Sequence, residues 1–333
     1  MKLQSALQQL REGTFMEGSS VRVGAYVERW LAGVRPSLRY ATWRRYRELL
    51  RLHVVPYLGG QPLQRLEPQQ VEHLYALLLK QGLSTTTVHH VHAVLHRMVG
   101  AAVRHGILAR NVTELVDAPQ VQRKERTMLP VEGARRLLAE ASDLKWRCLL
   151  MMALTTGMRQ GELLGLRWDA INLDRGIVHV VCSRARSEHG FELDDVKTTS
   201  SRRLIKLGDT VVEVLRELQK DQQRRAAWEG AGKGSAFVFP NSRGKLWDAA
   251  DVRSGLHALC ERSGVPVMRF HDLRHAAATF LLAEGVHPKI VSEILGHSTI
   301  AITLDLYSHA TLAMQNAAAV SMDRLVRSEH EGS

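Results

Sequence analysis

A polar stretch from Asn111 to Thr127, broken at Pro119, cuts the chain into two parts that must fold around separate cores. Its run Gln120-Val121-Gln122-Arg123-Lys124-Glu125-Arg126 carries no apolar stripe. At 333 residues the chain is also longer than a single core usually organises. Four segments are therefore expected: an N-terminal extension at 1–18, a first domain at 19–110, a linker at 111–127 and a second domain at 128–333.

The two domains differ in pattern. In the first, Val23, Val27, Trp30 and Leu31 recur on one helical stripe. A second helix is expected over Tyr40–Val54, ended by Pro56 and Gly59-Gly60. Pro68 suits the start of a third, reaching Lys80, and Ser84-Thr85-Thr86-Thr87 offers the N-cap of a fourth that ends near Gly106. Four short helices with basic faces make a small helical domain. In the second domain Val131–Glu140 and Leu144–Thr155 read as helices, and strand signals gather once. They run through Gly176–Cys182, a turn at Ser187–Gly190, and Arg203–Leu207. From Thr210 onward the chain reads as helical again. The expected fold is mainly α with a small antiparallel β-sheet.

Composition narrows the partners. The formal net charge of +11, with 16 further histidines, favours a polyanion, and nucleic acid leads. Arg39, Arg44, Arg45, Arg47 and Arg51, around and along the second helix, are the candidate DNA contacts. No run approaches the ~18 apolar residues of a membrane helix, and the opening residues lack the apolar core of a secretory signal. A cytoplasmic protein with no membrane partner is expected. Cys148, Cys182 and Cys260 stand far apart, which suggests buried thiols rather than a disulfide framework or zinc site. His92 and His96 have the i, i+4 spacing of a chelating pair, but no third ligand follows, so they are expected to face DNA or solvent.

Three short words carry possible chemistry. In Thr155-Thr156-Gly157-Met158-Arg159-Gln160-Gly161-Glu162, Gly157 breaks an apolar helix and Glu162 lies at a spacing that can hold Arg159. In Phe270-His271-Asp272-Leu273-Arg274-His275, His271 and Arg274 share one face near a helix N-terminus, where an imidazole and a guanidinium suit a phosphate oxyanion. In the third, His297 follows Gly296, and Tyr307 lies ten residues on. Taken singly these read as a surface ion pair, a capping arrangement and a core-edge tyrosine.

Together and in this order, Arg159, His271, Arg274, His297 and Tyr307 resemble the signature of the tyrosine recombinases, the phage integrase family. The flanking words match too: Thr-Thr-Gly-Met-Arg-Gln-Gly-Glu-Leu-Leu, His-Asp-Leu-Arg-His, and Leu-Gly-His-Ser-Thr-Ile ahead of Tyr-Ser-His. The resemblance covers roughly Ser19 to the C-terminus and implies a SAM-like core-binding domain followed by an α+β catalytic domain. It also implies a catalytic lysine in a β-hairpin, a place that Lys197 occupies; Lys206, inside the following strand, is the alternative. About 20 residues precede Val21, too few for the arm-site-binding domain of many phage integrases.

The resemblance implies that Tyr307 attacks the scissile phosphate and forms a 3′-phosphotyrosine link, so that rejoining needs no ATP. Arg159 and Arg274 would bind the non-bridging oxygens and Lys197 would protonate the leaving 5′-oxygen. His271 would assist proton transfer, His297 would hydrogen-bond the phosphate, and Glu162 would orient Arg159. No metal or other cofactor is required on this scheme. Double-stranded attachment sites, a homo-tetramer joined on paired sites through a four-way junction, and an accessory directionality factor are the implied partners. The alternatives are DNA relaxation like that of a type IB topoisomerase and a catalytically silent DNA-binding regulator.

Overall fold

The computed structural model describes residues 21–121, 129–188, 190–195, 202–228, 235–297 and 299–307, with the backbone alone at 195, 302 and 305–307. The chain divides into two compact units, residues 1–125 and 126–333, each with its own apolar core.

The described part of the first unit is helical. It contains α1 (Val23–Val34), α2 (Tyr40–His53), α3 (Val55–Leu58), α4 (Pro68–Lys80) and α5 (Thr85–Arg104). The one-turn α3 was not expected. Pro56 sits in its first turn, where a missing N–H costs nothing, so the proline starts a helix as well as closing off α2. Ser84 caps α5 as expected, its hydroxyl accepting from Thr87 N at 3.2 Å. Trp30 stacks on Tyr46 with ring centroids 5.9 Å apart, and Trp43 Nε1 donates to the Leu31 carbonyl at 2.9 Å.

Two expectations change in this unit. The linker expected to begin at Asn111 instead continues the fold, because Val112–Leu115 forms a 3-10 turn and Val112 and Val116 enter the core. His92 and His96, expected to face DNA or solvent, are instead half-buried and engaged within the fold. His92 Nδ1 bonds the Tyr75 hydroxyl at 3.0 Å, and His96 Nδ1 bonds the Thr113 hydroxyl at 2.9 Å. Both rings are part of the packing that holds α4, α5 and the 3-10 turn together.

The second unit is built around α7 (Leu144–Thr156), preceded by α6 (Val131–Glu140). Most of α7 is enclosed, with Cys148, Leu149, Leu150, Met152, Ala153 and Leu154 all buried, and the stripe of Arg147, Met151 and Thr155 reaches toward the surface. Burial pushes the Cys148 thiol up to about 12, and Cys260 is buried too. Cys182 is only half-buried, contrary to expectation. After α7 come the short α8 (Gln160–Leu164) and five strands. Strands β1 (Ile171–Asn172), β2 (Ile177–Val180) and β5 (Arg203–Lys206) form one antiparallel sheet in the order β1-β2-β5. A separate hairpin pairs β3 (Cys182–Ser187) with β4 (Gly190–Asp195). The described residues continue with α9 (Asp209–Trp228), α10 (Ala249–Ser263), α11 (Phe270–Ala283), α12 (Pro288–Leu295) and α13 (Ile300–Tyr307). Helices α9 and α11 pack on α7.

Candidate active site

The site is assembled where α7 stops. Gly157 caps that helix in the left-handed conformation at φ 59°, which only glycine adopts cheaply. Space demands glycine as well, since a Cβ there would lie 2.2 Å from Cδ2 of Leu295. The turn delivers Arg159 to the N-cap of α8, half exposed. Its Nη2 donates to the Gly296 carbonyl at 2.9 Å, tying it to the end of α12 beside His297.

Glu162 holds Arg159 as expected, but not as an ordinary surface pair. Its carboxylate is only 2% exposed and accepts from Arg159 twice, from the backbone N–H at 2.9 Å and from Nη1 at 2.8 Å. The same carboxylate binds Arg203, whose Nη2 lies at 2.9 Å and Nη1 at 3.3 Å. Burial pushes the Glu162 pKa up, yet the bonds and charge of Arg203, and then those of Arg159, outweigh it and leave the group below its ordinary value. Arg203 was missed among the sequence candidates. A signal for it exists, because it falls in phase with the inward-facing Ile205 of β5 and therefore had to be a buried arginine.

Helix α11 brings the second arginine. Arg274 is 3% exposed and its Nη1 donates to the Gly157 carbonyl at 2.7 Å. Its Nη2 is buried with no hydrogen-bond partner among the described residues. Burial, then the charge of Arg159, pushes its pKa down to about 9, and the charge of Glu162 does not offset them. His271, one turn earlier, is open to the surface on one side and packs edge-on against His275 at 4.6 Å. Burial of its other side and the charge of Arg274 lower its pKa. His297 bonds Thr303, whose side chain is fully buried, through Nδ1 at 2.8 Å. Its pKa falls to about 4, first through burial and then through Arg274 and Arg159.

Five sequence-predicted residues thus converge: Arg159, Glu162, His271, Arg274 and His297. Tyr307 ends α13, which packs against α11 and α12; its side chain lies outside the described residues. Lys197 also lies outside them. The two ends of its segment are described: Asp195 pairs with Cys182 and Arg203 with Val180, so the chain leaves and re-enters the strands two residues apart. Lys206 is exposed on β5 and donates to the Arg175 carbonyl. Among the described residues no three His, Cys, Asp or Glu side chains gather to hold a metal, and no helix is long and apolar enough to cross a membrane.

The candidate DNA-contact arginines are less free than their sequence suggested. Arg51 forks onto Glu28 at 2.8 and 2.6 Å, and Arg44 pairs with Glu48 at 2.7 Å. Arg47 lies over the Trp43 ring at 4.7 Å, and Arg45 bonds Nδ1 of His90 at 2.8 Å. Arg39 is exposed.

Comparison with known proteins agrees with this geometry. Residues 128–314 match the phage integrase family, and residues 23–79 match the phage integrase N-terminal SAM-like domain. An integrase of Streptomyces ambofaciens is 30% identical over 342 residues, covering 98% of this chain and 86% of the relative. A XerC-like tyrosine recombinase of Caldanaerobacter subterraneus subsp. tengcongensis is 27% identical over 345 residues, covering 97% and 88%. Among solved structures, the Tn1549 transposon integrase in complex with a circular intermediate DNA superposes with a TM-score of 0.77 at 21% identity, over 92% of this chain and all of that one. A lambda integrase tetramer bound to a Holliday junction gives 0.65 at 17% identity, over 89% and 87%. The chain belongs to the phage integrase family of tyrosine recombinases, enzymes that break and rejoin DNA at specific sites.

Proposed function

We propose that the chain integrates or excises a mobile element by cutting and rejoining duplex DNA at paired attachment sites, with Tyr307 as nucleophile. The observation that carries this reading is the charge balance of the site. Arg159 and Arg203 share a single carboxylate, Glu162, while Arg274 beside them bonds the Gly157 carbonyl and keeps a buried nitrogen unbonded among the described residues. Such a pocket calls for an anion, and a phosphodiester supplies one with oxygens for both Arg159 and Arg274.

In this reading the phosphate lies between the two arginines, and charge on its non-bridging oxygens is stabilised where little water screens it. If the Thr303 hydroxyl donates to Nδ1 of His297, the Nε2–H of that ring is left for the phosphate. His271, kept neutral by its surroundings, assists removal of the Tyr307 proton. Lys197 protonates the departing 5′-oxygen. Support for Lys197 over Lys206 comes from β5, where Lys206 is on the exposed side and engaged with Arg175. The first unit, whose core extends through Val112 and Val116, acts as the core-binding domain, and the catalytic domain follows at 128–333. The working assembly is a homo-tetramer on two sites, as lambda integrase forms on its junction, with an accessory factor setting direction, in the cytoplasm.

Replacing Tyr307 with Phe removes only the nucleophilic oxygen. The Tyr307→Phe chain should bind duplex DNA as the parent does and lose covalent capture of a nicked suicide duplex. A covalent adduct formed by Tyr307→Phe would mean another nucleophile. Relaxation of supercoiled DNA by the parent, without exchange between two sites, would favour the topoisomerase-like reaction instead.

A further inference from the structure

We infer that Arg203 is a positioning residue for DNA cleavage: by sharing the Glu162 carboxylate it leaves the charge of Arg159 available to the scissile phosphate. The inference rests on the phosphate reading of the site given above. Arg203 is 6% exposed and Glu162 2% exposed by side chain, so water screens neither strongly. Each carboxylate oxygen of Glu162 accepts one bond from Arg159 and one from Arg203. Three cations and one anion give the cluster a net charge of about +2. Without Arg203 the whole carboxylate charge would fall on Arg159, and a phosphate would have to compete with a buried, unshared anion for that guanidinium.

Arg203 also fixes geometry. Its Nε donates to the Ile294 carbonyl at 2.6 Å, near the end of α12. Two residues later the Gly296 carbonyl accepts from Arg159, and His297 follows. One side chain thus bonds the carboxylate that holds Arg159 and the helix end that presents His297. It also stands at the first residue of β5, where the chain returns from the segment containing Lys197. An arginine kept only to satisfy a buried glutamate would not need this third bond.

The test uses the full chain and two readouts: covalent capture of a nicked suicide duplex, and the rise in Tm caused by orthovanadate, an oxyanion that needs no DNA. Arg203→Ala should slow capture by about 10²-fold, the scale of losing one preorganised oxyanion donor, and should lose most of the vanadate effect. Adding Glu162→Gln to Arg203→Ala restores the net charge, so capture should recover at least about tenfold and the vanadate effect should return. Arg203→Lys keeps the charge without the fork and should stay within about tenfold of the parent. A merely structural arginine predicts a different split, because neutralising the stranded carboxylate would restore the Tm of the free chain without restoring the vanadate effect. A double variant no faster than Arg203→Ala, or an Arg203→Ala chain equal to the parent, overturns the inference. Should Arg203→Ala fail to fold, Arg203→Lys decides, and capture more than about 10²-fold below the parent overturns it. A parent that gains Tm with vanadate but never captures DNA would sink the proposed function instead, while the vanadate series still judges Arg203.

Discussion

Among the described residues Arg274 is a buried cation with one carbonyl partner and one unbonded nitrogen, an arrangement that costs stability until an anion arrives. Burial first, and then the charge of Arg274 and Arg159, act on His297, whose ordinary pKa of 6.5 falls to about 4. Between those two values the unfolded chain holds more protons at this position than the native one. His297 therefore costs native stability as pH falls from about 6.5 toward 4, and none of this cost is felt above about 7. An NMR titration of the His297 ring in the free chain should give a midpoint near 4, moving upward when vanadate fills the site. A midpoint at or above 6.5 would contradict a half-buried ring set beside the positive charges of Arg274 and Arg159, the surroundings on which the phosphate reading stands. Lys197 has a different task and so a different signature. A general acid matters only while the leaving oxygen is a poor leaving group. Lys197→Ala should slow cleavage of ordinary DNA by about 10²- to 10⁴-fold and recover most of that rate on 5′-bridging phosphorothiolate DNA. Arg159→Ala and Arg274→Ala should not recover, because sulfur at the bridge leaves the non-bridging oxygens unchanged. Equal impairment of Lys197→Ala on both substrates would pass the acid role to Lys206 or a histidine. At this scale the motif words made Arg159, Glu162, His271, Arg274 and His297 legible in the sequence. Arg203 was hidden because one of two adjacent arginines beside a polar run looks solvent-facing until the strand phase is fixed.

Elements place these residues within fractions of an ångström, and glycines do much of the placing. Gly157 is needed twice, for its left-handed turn and for the close approach of Leu295 from α12. Gly157→Ala should cost about 1–2 kcal/mol for the backbone alone. Adding displacement of Leu295 brings the loss to about 3 kcal/mol, typical of overpacking a core. For a unit of this size that is roughly 6–12 °C in Tm, and cleavage should fall further than stability because Arg159 sits two residues on. A Gly157→Ala chain with parental Tm and cleavage rate would show that α12 can move aside freely. Gly161 and Gly165 act likewise on one face of α8, where a Cβ would meet Ser183 Oγ at 2.6 Å and Arg184 N at 2.8 Å. They let β3 approach α8, which positions the hairpin ahead of Lys197. That hairpin was only partly legible. Ser183-Arg184-Ala185-Arg186-Ser187 is poor in β-branched and aromatic residues, so no strand was expected beyond Cys182. Its ladder with β4 and its packing on the two glycines hold it, and neither can be seen in a local window. The helices fared better, because caps at Ser84 and starts at Pro68 are local events.

Across the whole molecule the positive charge is unevenly shared. Residues 1–125 hold 17 Lys and Arg against 9 Asp and Glu, a net of +8 out of +11. The first unit therefore carries most of the attraction for a polyanion, and the second carries the concentrated charge of the site. Attraction of this kind works by counterion release, so binding to duplex DNA should weaken steeply with salt. For ~6 phosphate contacts, log K against log salt should fall with a slope near −5. Internal pairing refines which arginines contribute. Arg51 and Arg44 are already matched to Glu28 and Glu48, whereas Arg45 among the described residues meets a histidine. A phosphate gains little from a guanidinium that must first leave a carboxylate, even though an exposed pair is worth only about 0–1 kcal/mol. Arg45→Ala should accordingly reduce the slope by about 1, uniformly across DNA sequences, as loss of one backbone contact does. Arg51→Ala should change it by less than half as much, and Glu28→Gln should steepen it by freeing Arg51. Filter binding or anisotropy at several salt concentrations measures all four slopes. A parental slope near zero would refute a DNA-binding first unit, and an Arg51→Ala slope matching Arg45→Ala would show that the Glu28 pair opens on DNA at no cost.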